Sequence, residues 1–287
     1  MVSQLDMLFN LKNMKNIILL LSLLITISGC QKEDFDIVNL NNNEIAVYGH
    51  GGMGIGQTYP INSFESILYC LNIGTDGTEL DVQMTKDSVL VAYHAMSLEH
   101  STNSSGQINN KTWDEISHTT YNNPPYTNYK LISLTELFAN IDNLHDFTFT
   151  FDCKLYNSSH DLNSYYISFI NAINRISDKF NLQDILHIES QNKEFLRLLQ
   201  ASQRDYKLFI YPSSFEEGFQ IAKSLNLYGI TISTDDISKP QIENAHNNGL
   251  FVAIWNTNSK NKNIEAINKN PDFIQTDKVK HLVKLLK

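Results

Sequence analysis

Residues 74–94 read GTDGTELDVQMTKDSVLVAYH, and their pattern decides both the fold and the chemistry. Glu79 and Asp81 are separated by one residue. On a β-strand that spacing sends both carboxylates to the same side. Adjacent carboxylates repel each other unless a cation sits between them, and a hard divalent ion with oxygen ligands is the natural partner. Val89–Tyr93 is a second short apolar run, and it delivers His94. An acid pair on one strand and an imidazole at the end of the next fit a metal-assisted acid–base site.

Upstream, Ile45–Tyr48 is apolar and β-prone and ends in Gly49-His50-Gly51-Gly52. Glycines beside a histidine at a strand end let a ligand approach the backbone closely. Pro60-Ile61-Asn62-Ser63 follows, then a helical apolar run to Asn72. Downstream, short β-prone runs alternate with amphipathic helices. The strands are expected at 147–154, 184–189, 206–211, 229–232, 250–255 and 272–275, each followed by a helix, the last at 278–286. Such alternation implies parallel βαβ units. An open doubly wound sheet shares it, but His50, Glu79, Asp81, Asp152 and Trp255 all fall near the C-terminal ends of strands. A closed (β/α)₈ barrel brings those ends to one rim, so residues 44–287 are read as an α/β barrel of that kind.

These stretches together resemble the glycerophosphodiester phosphodiesterase family. Gly74, Asp76, Glu79, Asp81, Val82, Thr85, Lys86, Asp87, Val91 and His94 match its G-x-D-x-x-E-x-D-V-x-x-T-K-D and V-x-x-H motifs almost position by position. The resemblance implies a (β/α)₈ barrel that hydrolyses glycerophosphodiesters to an alcohol and glycerol phosphate. It implies His50 and His94 as the acid–base pair and Glu79, Asp81 and Asp152 as ligands of Ca²⁺ or Mg²⁺. Lys154 would touch the phosphate, and Trp255 would pack beside the substrate. Gln275-Thr276-Asp277 resembles the closing I-x-T-D motif and is expected to shape the last strand. The chain also departs from the family. Gly51 stands where an arginine is usual, Ile61 replaces the glutamate of P-E-N-T, and Ala95 replaces an aspartate. Two rivals follow: a phospholipase of related barrel type acting on lipid headgroups, or a weakened barrel that only binds a phosphorylated ligand.

The first residues carry a different signal. Lys12 and Lys15 precede an apolar run, Ile17–Ile27, that ends in Ser28-Gly29-Cys30. A basic start and a short apolar core describe a secretory signal, residues 1–29. Ile27-Ser28-Gly29-Cys30 resembles a bacterial lipobox, which implies acylation of Cys30 and anchoring in the cell envelope, at the outer membrane or cell surface. Residues 30–43 read as a polar tether. Cys70 and Cys153 read as two buried thiols.

The net charge is −9 with no basic stripe, which argues against a nucleic-acid partner. The expected partner is a phosphodiester, either a small molecule or a lipid headgroup. The long polar stretch after His94 carries Tyr121, Tyr126 and Tyr129 and is expected to lie over the rim and shape the alcohol side of the pocket.

Overall fold

The computed structural model describes residues 34–122, 124–157 and 161–287; the signal reading over 1–29 and the lipid site at Cys30 lie outside them. The barrel unit spans Asp36–Lys287. Among the described residues ten strands occur: β1 (Ala46–Gly49), β2 (Gly77–Met84), β3 (Leu90–Ala92), β4 (Ile132–Ser133), β5 (Thr148–Cys153), β6 (Leu186–Ser190), β7 (Lys207–Ile210), β8 (Gly229–Ser233), β9 (Phe251–Thr257) and β10 (Phe273–Thr276). Eight of them run parallel in the order β1-β10-β9-β8-β7-β6-β5-β2, and β1 pairs with β2, so the sheet closes on itself. β3 and β4 are added antiparallel beside β2 and stay outside the ring.

The order follows from the sequence pattern. Parallel neighbours require a crossover, and here amphipathic helices provide it, from Phe64–Asn72 to Val279–Leu286. Polar caps set where those helices begin. Asn62 adopts a left-handed backbone and Ser63 accepts a hydrogen bond from Ser66 N–H, so the first helix starts at Phe64 rather than at Ile61. A 3₁₀ turn over Gln183–Ile185 likewise delays β6 relative to the expected strand.

The barrel interior is divided by height. At the N-terminal ends of the strands, Ala46, Tyr48, Phe209, Ala253 and Phe273 form an apolar plug, and the His187 ring lies within 5.1 Å of Phe273 and 5.3 Å of Phe209. At the C-terminal ends, the buried residues are polar: Glu79, Asp81, Asp152, Glu189, Thr231 and Gln275. A buried polar layer on an apolar floor is what a site at the mouth of a barrel requires.

The polar N-terminal stretch expected as a tether is docked from Asp36 onward. Val38 N–H donates to Asn270 Oδ1 (3.0 Å), Leu40 N–H donates to Asp272 Oδ1 (2.9 Å), and Asn270 Nδ2 donates to Asp36 O (3.1 Å). Asp272 O also accepts from Ala46 N–H, at the start of β1. Residues 36–43 therefore lie against the floor of the barrel, held by backbone and side-chain hydrogen bonds that a free linker would lack. Among the described residues, no helix is long and apolar enough to cross a membrane.

Candidate active site

The strand register explains why distant residues meet. Asp81 is level with Asp152, and Asp152 is level with Glu189, so three neighbouring strands present carboxylates at one height. Among the described residues, one oxygen each of Glu79, Asp152 and Glu189 lies within 4.8 Å of the others. All three are buried. This group shares Glu79 and Asp152 with the expected set of Glu79, Asp81 and Asp152 and adds Glu189, while Asp81 stands level with Asp152 on the neighbouring strand.

Asp81 has partners of its own. Lys154 Nζ lies 3.0 Å from Asp81 Oδ1 and also pairs with Asp152. Asn62 Nδ2 donates to Asp81 Oδ2 (2.6 Å), and Asn62 Oδ1 accepts from Asp81 N–H (3.0 Å). Burial works against the ionised Asp81 carboxylate. Lys154, His94, His50 and the Asn62 hydrogen bond outweigh it and hold the acid below its ordinary range.

Among the described residues, Glu79 and Glu189 have no such ion pair. Burial first, then the charges of Asp81, Asp152 and Glu189, drive Glu79 well above the ordinary carboxylate range. Burial and the Asp152 charge raise Glu189 to about 7, although Thr231 Oγ1 (2.7 Å) and Gln275 Nε2 (3.0 Å) both donate to its Oε2. Four buried carboxylates thus face one ammonium. An excess of that kind, with hard oxygen donors converging, suits a divalent cation of the Ca²⁺ or Mg²⁺ type.

The histidines follow two strands, β1 and β3, that both pair with β2. His50 follows β1, and its Nδ1 lies 2.8 Å from Asp277 Oδ1, at the end of β10. Burial lowers the basicity of His50, but the hydrogen bond and charge of Asp277, with Asp81 behind, more than reverse this and raise it. Asp277 was expected only to shape the last strand; it is instead a direct partner of a candidate catalytic group. His94 follows β3 and is exposed. Gln83 Nε2 donates to Tyr93 O (2.7 Å) and to Ala95 O (2.8 Å), and so clamps the backbone on both sides of His94. The charges of His94 and His50 both act on Asp81, and that of His94 also acts on Asp152.

The departures at Gly51 and Ile61 are one local arrangement. Gly51 has φ +53°, and a Cβ there would fall 2.0 Å from Ile61 Cγ1. Ile61 occupies the space a side chain at 51 would need, and the Gly51 N–H donates to Glu79 Oε2 (2.8 Å). The Glu79 carboxylate thereby meets a backbone amide.

The tyrosines of the long stretch turn inward. Tyr121 is buried and donates to Ile61 O (3.0 Å), Tyr126 donates to Gln57 O, and Tyr129 meets Tyr59 edge-on at 5.7 Å. They fasten the loop after β1 rather than line an open pocket. Trp255, at the end of β9, meets Tyr211 edge-on at 5.4 Å at the rim. The Cys70 and Cys153 thiols are both buried and free, as expected.

Comparison with known proteins places this geometry. The sequence profile of the glycerophosphoryl diester phosphodiesterase family matches residues 53–281. The chain belongs to that family. It is accordingly an enzyme, a phosphodiesterase of (β/α)₈ barrel type. A glycerophosphodiester phosphodiesterase of Caldanaerobacter subterraneus subsp. tengcongensis is 24% identical over 242 residues, covering 82% of this chain and 95% of that protein. Among solved structures, a glycerophosphodiester phosphodiesterase of Parabacteroides distasonis superposes with a TM-score of 0.69 at 24% identity, covering 85% of this chain and 97% of that one. A phosphodiesterase of Oleispira antarctica, solved with sn-glycerol-3-phosphate as product, gives 0.71 at 18% identity, covering 83% and 94%. The profile match opens just beyond His50 and Gly51.

Proposed function

We propose that the protein hydrolyses glycerophosphodiesters to an alcohol and glycerol phosphate, using His50 and His94 as the acid–base pair. The observation that carries this reading is the convergence of both histidines, Lys154 and four buried carboxylates at the barrel mouth. The product bound to the Oleispira relative fits the same chemistry.

Glu79, Asp152 and Glu189 would hold a Ca²⁺ or Mg²⁺ ion, with Asp81 beside them anchoring Lys154. When bound, the ion supplies charge stabilisation to a non-bridging phosphate oxygen. Lys154 binds and orients the same phosphate. Asp277 holds the Nδ1–H tautomer of His50, so Nε2 faces the nucleophile and takes its proton. The nucleophile is water or the glycerol 2-hydroxyl. As its oxygen bonds to phosphorus, the phosphorus–oxygen bond to the alcohol breaks, and His94 gives that leaving oxygen a proton. A cyclic phosphate, where one forms, is opened by water with the two roles reversed.

His50→Ala and His94→Ala are each expected to lower turnover by about 10²–10⁴ with the fold intact. The double variant is expected to be little worse than the weaker single, since the two act as a unit. Wild-type turnover in either single variant would overturn the assignment. Chelation is expected to abolish activity and Ca²⁺ or Mg²⁺ to restore it; full turnover in a verified metal-free preparation would remove the ion from the reading.

The lipobox-like motif supports a second part of the proposal: acylation at Cys30 and attachment to the bacterial envelope. Mass spectrometry of the mature N-terminus tests this, and an unmodified Cys30 would refute it.

A further inference from the structure

The two candidate histidines are held in different ways. His50 has a side-chain partner, Asp277. The His94 imidazole is exposed and has no hydrogen-bond partner among the described residues. Its place therefore rests on its backbone, and that backbone lies beyond Ala92, where β3 ends.

Gln83 is the side chain that holds this backbone. It stands two residues after Asp81 and four after Glu79, so strand alternation puts all three on one face of β2. It is buried, and its Nε2 donates one hydrogen to Tyr93 O (2.7 Å) and the other to Ala95 O (2.8 Å). An amide NH₂ has two donors, and here both are used on two acceptors that bracket His94. Tyr93 N–H also donates to Asp81 O (2.9 Å), a backbone tie to the same strand. β2 therefore carries two acids of the mouth on its side chains and fixes the backbone of His94 with the next residue along.

We propose that Gln83 is the positioning residue of His94, the counterpart of Asp277 for His50, and that its amide holds the imidazole where it can protonate the leaving oxygen. The assignment rests on the acid role given to His94 above and names the group that sets it. Gln83 moves no proton itself and acts through His94. Without its two donors the carbonyls of Tyr93 and Ala95 lose their partner, and the segment carrying His94 is free to shift. A displacement of about 1 Å is enough to cost on the order of 10²-fold in rate.

The test uses two diesters of glycerol phosphate, one with ethanol and one with p-nitrophenol. The ethanol oxygen needs a proton to leave, whereas p-nitrophenolate leaves without one. Gln83→Met keeps the length of the side chain and removes both donors. Its kcat for the ethyl diester is expected to fall by about 10²-fold, with KM little changed, and its kcat for the p-nitrophenyl diester to fall far less. Gln83→Glu, nearly isosteric and without an N–H donor, is expected to show the same split. Gln83→Met combined with His94→Ala is expected to be little slower than His94→Ala alone, because a positioning residue has nothing left to position. A loss that multiplies that of His94→Ala would overturn the assignment, as would failure of both Gln83 variants to fold. Equal loss on the two diesters in the Gln83 variants, with a split in His94→Ala, would also overturn it and leave Gln83 a structural residue. If His94→Ala itself shows no split, the acid role of His94 falls, and the combined variant alone then decides for or against Gln83.

Discussion

His50 Nδ1 lies 2.8 Å from Asp277 Oδ1, so the first and last strands of the barrel share one hydrogen bond at the mouth. Asp277 Oδ1 also accepts from Ile55 N–H (2.9 Å), which ties the loop after β1 to the same carboxylate. The position of the loop after β1 and the orientation of a candidate catalytic imidazole therefore depend on one side chain.

A pH dependence follows. Asp277 raises the basicity of His50, so as pH falls the imidazole takes up a proton earlier than an ordinary histidine would. If His50 accepts the nucleophile's proton, the acid limb of the pH–rate profile lies above the usual imidazole range of about 6.5. Asp277→Asn is expected to move that limb to lower pH and to reduce kcat more than it changes KM. A profile that does not move would detach Asp277 from the chemistry.

Glu189 provides a second test. Glu189→Gln keeps the shape and the hydrogen bonds from Thr231 and Gln275 but removes a charge from the buried acid group. Metal affinity, read as the thermal stabilisation given by added Ca²⁺ or Mg²⁺, is expected to fall by about one to two orders of magnitude. In the absence of metal, the variant is expected to be at least as stable as the wild type, since fewer like charges are then crowded together. Unchanged metal affinity would return Glu189 to a structural role.

The pairing of Gly51 with Ile61 predicts coupled substitutions. Gly51→Arg places a side chain against Ile61 and strains a left-handed backbone, at a cost of about 1–3 kcal/mol for the strain alone. Gly51→Arg combined with Ile61→Ala is expected to recover the part due to the clash. Urea denaturation of the two singles and the double gives the coupling; strictly additive effects would show that the two positions do not share space.

His187 predicts acid sensitivity of the fold itself. Burial among aromatic rings lowers its pKa to about 3. The unfolded chain takes up this proton as pH falls through about 6.5, before the folded chain does. The contribution of neutral His187 is therefore complete above that pH and is lost as pH drops toward 3, by at most about 5 kcal/mol. His187→Phe is expected to flatten this part of the stability curve relative to wild type. Parallel curves for the two proteins would exclude His187 as the source.

Much of the architecture was legible because barrel strands are short, apolar and separated by amphipathic helices. Glu79, Asp81 and His94 stood in a long, residue-specific motif, and their placement at strand ends pointed to a common rim. Glu189 carries no such local mark. It is a single acid on a buried strand, and only the register of β6 against β5 brings it level with Asp152. Asp277 was legible as part of a motif but not as a partner of His50, because their contact spans 227 positions. The tyrosines after His94 were read as a rim because the stretch is long and polar. Their hydroxyls instead find backbone carbonyls of the loop after β1, a use that depends on where two distant loops cross.

The docking of residues 36–43 bears on which way the enzyme would face if it is lipid-anchored as proposed. Their anchors, Asn270 and Asp272, lie at the end of β10 opposite His50, Asp277 and the buried acids of the mouth. With Cys30 acylated, as proposed, the six steps to Asp36 span no more than about 20 Å. The bilayer would then lie close beneath the floor, with the mouth turned outward to the surrounding water.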